Sequence, residues 1–236
     1  MTGATGNWYA GLHECPDMAF VLHALRPGDL FVDIGANVGS YTVLAAGAAQ
    51  ADVIAVEPVP STFAGLVDNI ALNALGKRAE LRCCGISASA GTLTFTAGLD
   101  TMNRVARAED CGATVSVPVT TLDELCGART PLVIKIDVEG HELAVLDGAK
   151  SVLGNPGVQA VVMETNGSGA GYGHSDQELV ERMRSAGFTP CRYDWQKREL
   201  QAVERGGQNT IFARLPEDLS RRCQAASEFR LVNGTI

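Results

Sequence analysis

The chain has 236 residues, which is enough to bury one hydrophobic core, and it shows no internal repeat, so we expect a single domain. Hydrophobic residues make up 46% and charged residues 19%, a composition that excludes an intrinsically disordered chain. The formal net charge of −8 argues against nucleic acid or an anionic membrane as the main partner, since both attract clustered Lys and Arg.

Residues 1–29 contain one amphipathic segment, PDMAFVLHAL, which is predicted to form a helical cap on the sheet of the same domain. We find neither a signal-peptide pattern nor a run of about 18 apolar residues, so we expect a cytoplasmic protein without a membrane span. The seven cysteines include no C-x-x-C pair, which favours reduced, packed thiols over zinc ligands or disulfides.

Residues 30–215 are predicted to form the main domain, and from Leu30 to Val138 they alternate short β-rich runs with helix-like segments, as parallel βαβ units do. The predicted strands are LFVDIGA, DVIAVEP, AELRCCGI, PLVIKIDV and VQAVVMET, followed by FTPCRYDW and NTIFARL. They indicate an α/β fold with a doubly wound, mostly parallel sheet. Residues 196–208 are predicted as a polar loop, and residues 216–236 as a weak helix and tail.

The segment FVDIGANVGSYT joins the first strand to the first helix through Gly35 and Gly39, where open α/β sheets bind nucleotides. A dinucleotide-binding turn has a central glycine that makes room for pyrophosphate. Asn37 occupies that place here, which argues against pyrophosphate and for a smaller ligand that takes hydrogen bonds. Asp33 adds a carboxylate at the strand end, which suits a cationic group.

Glu57 ends the second strand, where the acidic residue of a Rossmann unit accepts hydrogen bonds from a ribose diol. An adenosine that carries a positive charge suits both Asp33 and Glu57. Because S-adenosylmethionine combines a ribose, a sulfonium and an amino acid tail, we predict it as the cofactor.

The run KIDVEGHE places charges at the end of a buried strand, where an unpaired charge is costly. Asp137 and Glu139 have the same parity and point to one side, and the turn at Gly140 carries His141 into the next helix. His141 has an unperturbed pKa of about 6.5, which suits proton removal from an alcohol at neutral pH. Asp137 and Glu139 are the other catalytic candidates, as orienting groups, proton acceptors or ligands of the substrate hydroxyl.

Two alternatives stay open at this strand end. Asp137 and Glu164, which end adjacent predicted strands, offer oxygen ligands to Mg²⁺. Alternatively the charges are structural, with Glu142 capping the following helix and Lys135 neutralising Asp137.

From about Asn7 to Leu215 the chain resembles the FkbM-type S-adenosylmethionine-dependent O-methyltransferases, in FVDIGANVGSYT, VIAVEPVPSTFAGLVDNIALN, VIKIDVEGHELAVLDGA and NTIF. The resemblance implies a class I methyltransferase sheet of seven strands, the last one antiparallel, and methyl transfer to a hydroxyl of a sugar or glycosylated secondary metabolite. The cofactor-binding residues that it implies are Glu14, Asp33, Gly35, Ala36, Asn37, Gly39, Tyr41, Glu57, Pro58, Gly85, Ile86 and Asp137. CCGISASAG departs from many methyltransferases, because it has no Asp or Asn for the adenine amine.

The acceptor is expected to be a small molecule bound between the N-terminal helix and two irregular segments, residues 98–112 and 167–173. Trp8 and Tyr9 are candidates for closing over the cofactor, and a homodimer is compatible with the sequence. The candidate substrate contacts are Asn103, Asn166 and Asn209.

Two other functions remain as alternatives. One is a nucleotide-binding oxidoreductase of the Rossmann type, which Asn37 in the glycine turn disfavours. The other is a catalytically silent scaffold that binds S-adenosylmethionine, which the cluster of acids at the strand end disfavours because burying those charges is costly.

Overall fold

The computed structural model describes residues 11–98, 102–232 and 234–236. The strands in chain order are β1 (Leu30–Ile34), β2 (Asp52–Val56), β3 (Ala79–Arg82), β4 (Gly85–Ile86), β5 (Gly91–Thr96), β6 (Thr114–Thr120), β7 (Val133–Ile136), β8 (Ala160–Glu164), β9 (Thr189–Asp194), β10 (Glu199–Ala202), β11 (Asn209–Ala213), β12 (Arg230–Leu231) and β13 (Gly234–Thr235).

The helices in chain order are α1 (Cys15–Ala24), α2 (Ser40–Val43), α3 (Pro60–Leu72), α4 (Leu122–Cys126), α5 (Glu142–Asp147), α6 (Lys150–Gly154), α7 (Asp176–Ser185) and α8 (Pro216–Gln224). A π-helical turn, Leu44–Ala48, continues α2, and a 3₁₀ turn spans Ser168–Tyr172. None of the helices in the described ranges has the length and apolar character needed to cross a membrane.

Eight of the described strands form one sheet in the order β10-β9-β11-β8-β7-β1-β2-β3. Strands β1, β2, β3, β7 and β8 run parallel, and β11 lies antiparallel between β8 and β9. The predicted doubly wound α/β fold is therefore confirmed. The chain builds the sheet outward from β1 in both directions. The helices that follow β1 and β7 lie on opposite faces of the sheet, so a crevice opens at the carboxyl ends of these strands.

The sheet has one strand more than the seven that were expected, because the segment predicted as a polar loop contains β10. This strand pairs antiparallel with β9 at the outer edge of the sheet, where Leu200 lies opposite Tyr193. An edge strand has one unpaired side facing away from the sheet, so it tolerates the polar composition that suggested a loop.

The two faces of the sheet carry separate hydrophobic clusters, since side chains alternate along each strand. Phe31 and Val133 pack on the face that α1, α2, α3 and α8 cover, and the even-numbered residues of the same strands pack towards α4–α7. Asp33 and Lys135 lie opposite each other and continue the first of these two rows. The register therefore directs a buried acid and a buried lysine to the same face of the sheet.

Helix α1 is buried on nearly all sides, unlike the amphipathic cap that was predicted. Every residue from Met18 to Ala24 is buried, His23 included. The reason is that α8 packs over α1 and adds Leu219 and Cys223 to the same core. A segment with one polar stripe in the sequence thus becomes an interior helix once the C-terminal residues cover that stripe.

His23 is expected to make the protein less stable in mild acid. Its Nδ1 lies 2.8 Å from the hydroxyl oxygen of Tyr193, and burial, together with the charges of Arg198 and Arg26, lowers its pKa to about 4. In the unfolded chain the His23 imidazole binds a proton near pH 6.5, whereas in the folded protein it stays neutral down to about pH 4. The contribution of His23 to stability is therefore fully present above pH 6.5, and this contribution to the free energy of unfolding should fall by about 3 kcal/mol towards pH 4.

Urea denaturation at a series of pH values measures this dependence, with His23→Gln as the comparison. The variant should be less stable at pH 7.5 but should lose less stability on acidification than the parent protein. An identical pH dependence in the two proteins would assign the effect to other groups.

Candidate functional site

The carboxyl ends of β1, β2, β7 and β8 meet at a cavity of about 310 Å³. Most of the predicted site residues line it. Those of the cofactor set are Glu14, Asp33, Gly35, Ala36, Asn37, Tyr41, Glu57, Pro58, Gly85, Ile86 and Asp137. The others are Asn103, Glu139, His141 and Glu164.

Three predicted residues in the described ranges do not line this cavity. Gly39 has φ 93°, and a Cβ there would lie 2.6 Å from Leu66 Cδ1, so it serves the packing of α3 against the turn. Asn166 Nδ2 donates to Glu164 Oε1 at 2.7 Å, and Asn209 Nδ2 donates to Asp17 Oδ2 at 3.0 Å. The side-chain amides of Asn166 and Asn209 are thus hydrogen-bonded to acidic side chains of the protein. Trp8 and Tyr9 lie outside the described residues.

Gly35 brings the turn after β1 against the end of β7. Its φ is 79°, and a Cβ at this position would lie 1.8 Å from the backbone oxygen of Asp137. No side chain fits that gap, so glycine is required both by the backbone conformation and by the close approach of two chain segments.

The backbone N–H groups of the turn donate within the turn or to β2. Gly35 N and Ala36 N donate to Val56 O, Gly39 N donates to Ala36 O, and Val38 N donates to the side-chain Oδ1 of Asn37 at 2.7 Å. Asn37 has φ 52°, a left-handed conformation that Asn tolerates better than most residues. The side-chain oxygen of Asn37 stabilises the turn, and the expected hydrogen bonds from its side-chain amide to a ligand stay a prediction.

Glu57 ties the ends of β1 and β2 together. Its Oε2 accepts from Asn37 N and its Oε1 from Val59 N, each at 3.0 Å. Burial raises the pKa of Glu57 to about 7, aided by the nearby acids Asp33 and Asp137 and opposed by the two N–H donors. Each carboxylate oxygen keeps one further lone pair for another donor.

Lys135 and Asp137 form a largely buried ion pair at the end of β7. Lys135 Nζ lies 2.6 Å from Asp137 Oδ2, as the structural alternative for these charges predicts. Asp33 is also buried and accepts a 2.6 Å hydrogen bond from Thr42 Oγ1. Burial raises the pKa of Asp33 above its usual range, although Lys135 and Thr42 act in the opposite direction.

Glu14 and Tyr41 close the same side of the cavity from outside the sheet. The Tyr41 hydroxyl donates to Glu14 Oε2 at 2.5 Å, and Lys135 Nζ lies 4.6 Å from the centre of the Tyr41 ring. Burial alone would raise the pKa of Glu14, but His13, Lys135 and Tyr41 together lower it to about 2. Glu14 is therefore ionised and forms part of a cluster of alternating charges with Lys135 and Asp137.

The turn after β7 positions His141 at the cavity wall. Gly140 has φ 101° and packs so closely that a Cβ would lie 2.7 Å from Tyr172 Cε2. His141 Nε2 lies 3.0 Å from Ser87 Oγ, and its ring meets that of Tyr172 edge to face. Burial lowers the pKa of His141, and the proximity of His174 lowers it further.

A cluster of three carboxylates lines the same cavity. Oxygen atoms of Asp137, Glu139 and Glu164 lie within 4.8 Å of one another. Burial and mutual repulsion raise the pKa of Glu139 to about 7 and that of Glu164 to about 9. Such a cluster needs a bound cation or retained protons to balance its charge. Glu142 is buried and accepts a 3.0 Å hydrogen bond from Gly140 N.

Sequence reasoning missed Ser87 and Arg104. Ser87 follows β4, which pairs in parallel with β6 in a second sheet formed by β4, β5 and β6. Arg104 lies in the irregular segment between β5 and β6, lines the cavity and pairs with Asp110 at 2.5 Å. The position of Ser87 directly after a strand was the only sequence feature that could have indicated a functional role. We find no such feature for Arg104.

The sequence matches known proteins over most of its length. A family model described as "Methyltransferase FkbM domain" matches residues 33–190. The hexuronic acid methyltransferase AglP of Haloferax volcanii is 32% identical over 136 residues, which cover 56% of this chain and 55% of that protein. The 31-O-demethyl-FK506 methyltransferase FkbM of Streptomyces tacrolimicus is 29% identical over 210 residues, covering 73% of this chain and 78% of that protein.

A solved structure supports the assignment of the fold. The methyltransferase FkbM from Methylobacillus flagellatus KT superposes with a TM-score of 0.52 at 15% identity, covering 79% of this chain and 43% of that one. The chain thus spans about half the length of AglP and less than half of this structural neighbour. The family resemblance predicted from the sequence is confirmed, and the chain belongs to the FkbM methyltransferase domain family.

Proposed function

We propose that the protein is an S-adenosylmethionine-dependent O-methyltransferase that acts on a hydroxyl of a sugar or a secondary metabolite. The observation that carries this proposal is the excess of carboxylates around the cavity, which suits a cationic cofactor and opposes a pyrophosphate. Family membership adds support, because AglP is by name a methyltransferase of a hexuronic acid and FkbM one of demethyl-FK506.

The donors and acceptors of the cavity fit this cofactor. Both oxygens of Glu57 have a lone pair left for a ribose hydroxyl, although each already accepts a backbone N–H. Gly85 lines the cavity and packs against Phe95, since a Cβ there would lie 2.9 Å from Phe95 Cζ. We place the adenine base against the backbone of Gly85 and Ile86. When bound, the cofactor supplies an electrophilic methyl group.

His141 is the group that we propose removes the acceptor proton. Its lowered pKa keeps the imidazole neutral at pH 7, which is the form that accepts a proton. The hydrogen bond between Ser87 Oγ and His141 Nε2 and the edge-to-face contact between the His141 and Tyr172 rings orient the imidazole. Glu139 is the competing base, since it lines the same cavity and has a pKa of about 7.

Mg²⁺ is the second candidate for balancing the charge of the carboxylate cluster, with Asp137, Glu139 and Glu164 as its oxygen ligands. We expect methyl transfer to continue in EDTA, because retained protons balance the cluster without a metal. Assays of the chelated protein with and without added Mg²⁺ measure this. Loss of activity in EDTA that Mg²⁺ restores would favour the metal.

Mass spectrometry tests the proposed function. A panel of glycosides, uronic acids, polyketides and simple alcohols is incubated with the protein and S-adenosylmethionine, and products are inspected for the gain of one methylene unit. Calorimetry with S-adenosylmethionine and with NAD separates this function from the oxidoreductase alternative. Tight cofactor binding without turnover of any acceptor would favour the silent scaffold. A small-molecule acceptor and a cytoplasmic location remain parts of the proposal, and a homodimer is compatible with it.

A further inference from the structure

The backbone of the glycine turn, residues 35–39, offers no unused N–H group to the carboxylate of a bound amino acid. The backbone N–H groups of Gly35, Ala36, Val38 and Gly39 each donate within the turn or to β2, and that of Asn37 donates to Glu57. An amino acid tail that lies over this turn brings both an ammonium and a carboxylate. A buried carboxylate is costly unless it is paired and hydrogen-bonded, so its donors must come from elsewhere in the cavity.

Lys135 is placed to supply them. Its side chain is almost fully buried, lines the cavity, and lies on the same sheet face as Asp33, next to the turn. A lysine ammonium has three N–H donors. The contacts that define its position are the 2.6 Å bond to Asp137 Oδ2 and the ring face of Tyr41 at 4.6 Å. At least one donor is therefore available for a second oxygen.

The other permanent cation at the cavity comes from a different part of the chain, outside the glycine turn and the strands beside it. In the part of the chain that the structure describes, Arg104 is the second Lys or Arg side chain that lines the cavity, and it pairs with Asp110 in the segment between β5 and β6. Glu14 and Asp137 lie beside Lys135 and accept hydrogen bonds from Tyr41 and from Lys135 itself. One lysine between two carboxylates matches the paired charges of an α-amino acid.

We propose that Lys135 binds the α-carboxylate of the cofactor's amino acid tail, while Glu14 and Asp137 accept hydrogen bonds from its α-ammonium. This inference rests on the proposed function, and it gives Lys135 a role beyond neutralising Asp137. The ion pair of the free protein then partly opens, since the lysine gains the ligand's carboxylate and Asp137 gains the ligand's ammonium.

Calorimetry with three ligands tests the assignment. S-adenosylmethionine carries the full tail, its decarboxylated form keeps the sulfonium and the ammonium, and 5′-methylthioadenosine lacks the tail altogether. The wild-type protein should prefer S-adenosylmethionine to the decarboxylated form, although the acidic cavity by itself favours the more positive ligand.

Lys135→Met should weaken S-adenosylmethionine binding roughly 10- to 100-fold and should remove that preference. It should leave 5′-methylthioadenosine binding within about 2-fold. Lys150→Met, on the exposed side of α6, is the matched control and should bind all three as the wild type does.

Equal weakening of all three ligands in Lys135→Met would make the lysine structural and overturn the inference. An absent preference in the wild-type protein would overturn it as well, even if the variant fails to fold. If the wild-type protein binds no S-adenosylmethionine, the proposed function itself fails, whereas binding without a carboxylate preference removes the lysine assignment alone.

Discussion

Replacing His141 by glutamine is expected to lower kcat by roughly 100- to 10,000-fold while leaving the Kd for S-adenosylmethionine within about 2-fold. Glutamine keeps a polar group near Ser87 Oγ, so the turn around Gly140 should survive, but it cannot take a proton. Single-turnover methylation combined with calorimetry separates these two effects. A retained kcat would remove His141 from the role of base.

The pH profile gives an independent test of this assignment. A base must be unprotonated to act, so wild-type kcat/KM should fall as the pH drops through the pKa of His141, which burial holds below its usual value of 6.5. If Glu139 were the base, the fall would instead centre near pH 7, since burial and neighbouring acids raise its pKa to about 7. Glu139→Gln would then cause the larger loss, and His141→Gln would leave the profile in place.

Much of the site could be predicted because the ends of parallel strands meet at one edge of the sheet. Asp33, Glu57, Asp137 and Glu164 each end a strand of the central sheet or follow it closely, and alternation along the strand predicted that Asp137 and Glu139 point to one side. The inference that these acids meet at one edge of the sheet needed only local sequence and the general geometry of α/β sheets. Their placement around one cavity agrees with it.

Contacts between distant segments could not be predicted in this way. Asn209 was expected at the substrate but holds Asp17 and lies 3.4 Å from Glu14, a pairing across 195 positions that no local pattern encodes. Gly39 was expected at the ligand, but the packing of Leu66 determines its environment. The burial of α1 depends likewise on α8, which lies at the other end of the chain.

Gly35→Ala is expected to destabilise the protein by at least about 4 kcal/mol and to abolish measurable S-adenosylmethionine binding. The added Cβ would lie 1.8 Å from the backbone oxygen of Asp137, and two backbone segments cannot yield as a flexible side chain can. Relief requires the ends of β1 and β7 to separate, which would displace Asp137 and break the hydrogen bonds of the turn to Val56 O.

Gly28→Ala is the matched control for this prediction. Gly28 has φ 88°, close to the 79° of Gly35, but a Cβ there meets no atom within 4 Å. It should therefore cost only the roughly 1–2 kcal/mol of a left-handed backbone with a side chain, and should leave cofactor binding intact. Urea denaturation of both variants isolates the clash from the backbone strain. Equal losses of stability would mean that Gly35 is required for its φ alone, whereas a larger loss at Gly35 would show that the contact between the turn and the end of β7 fixes the geometry of the cavity.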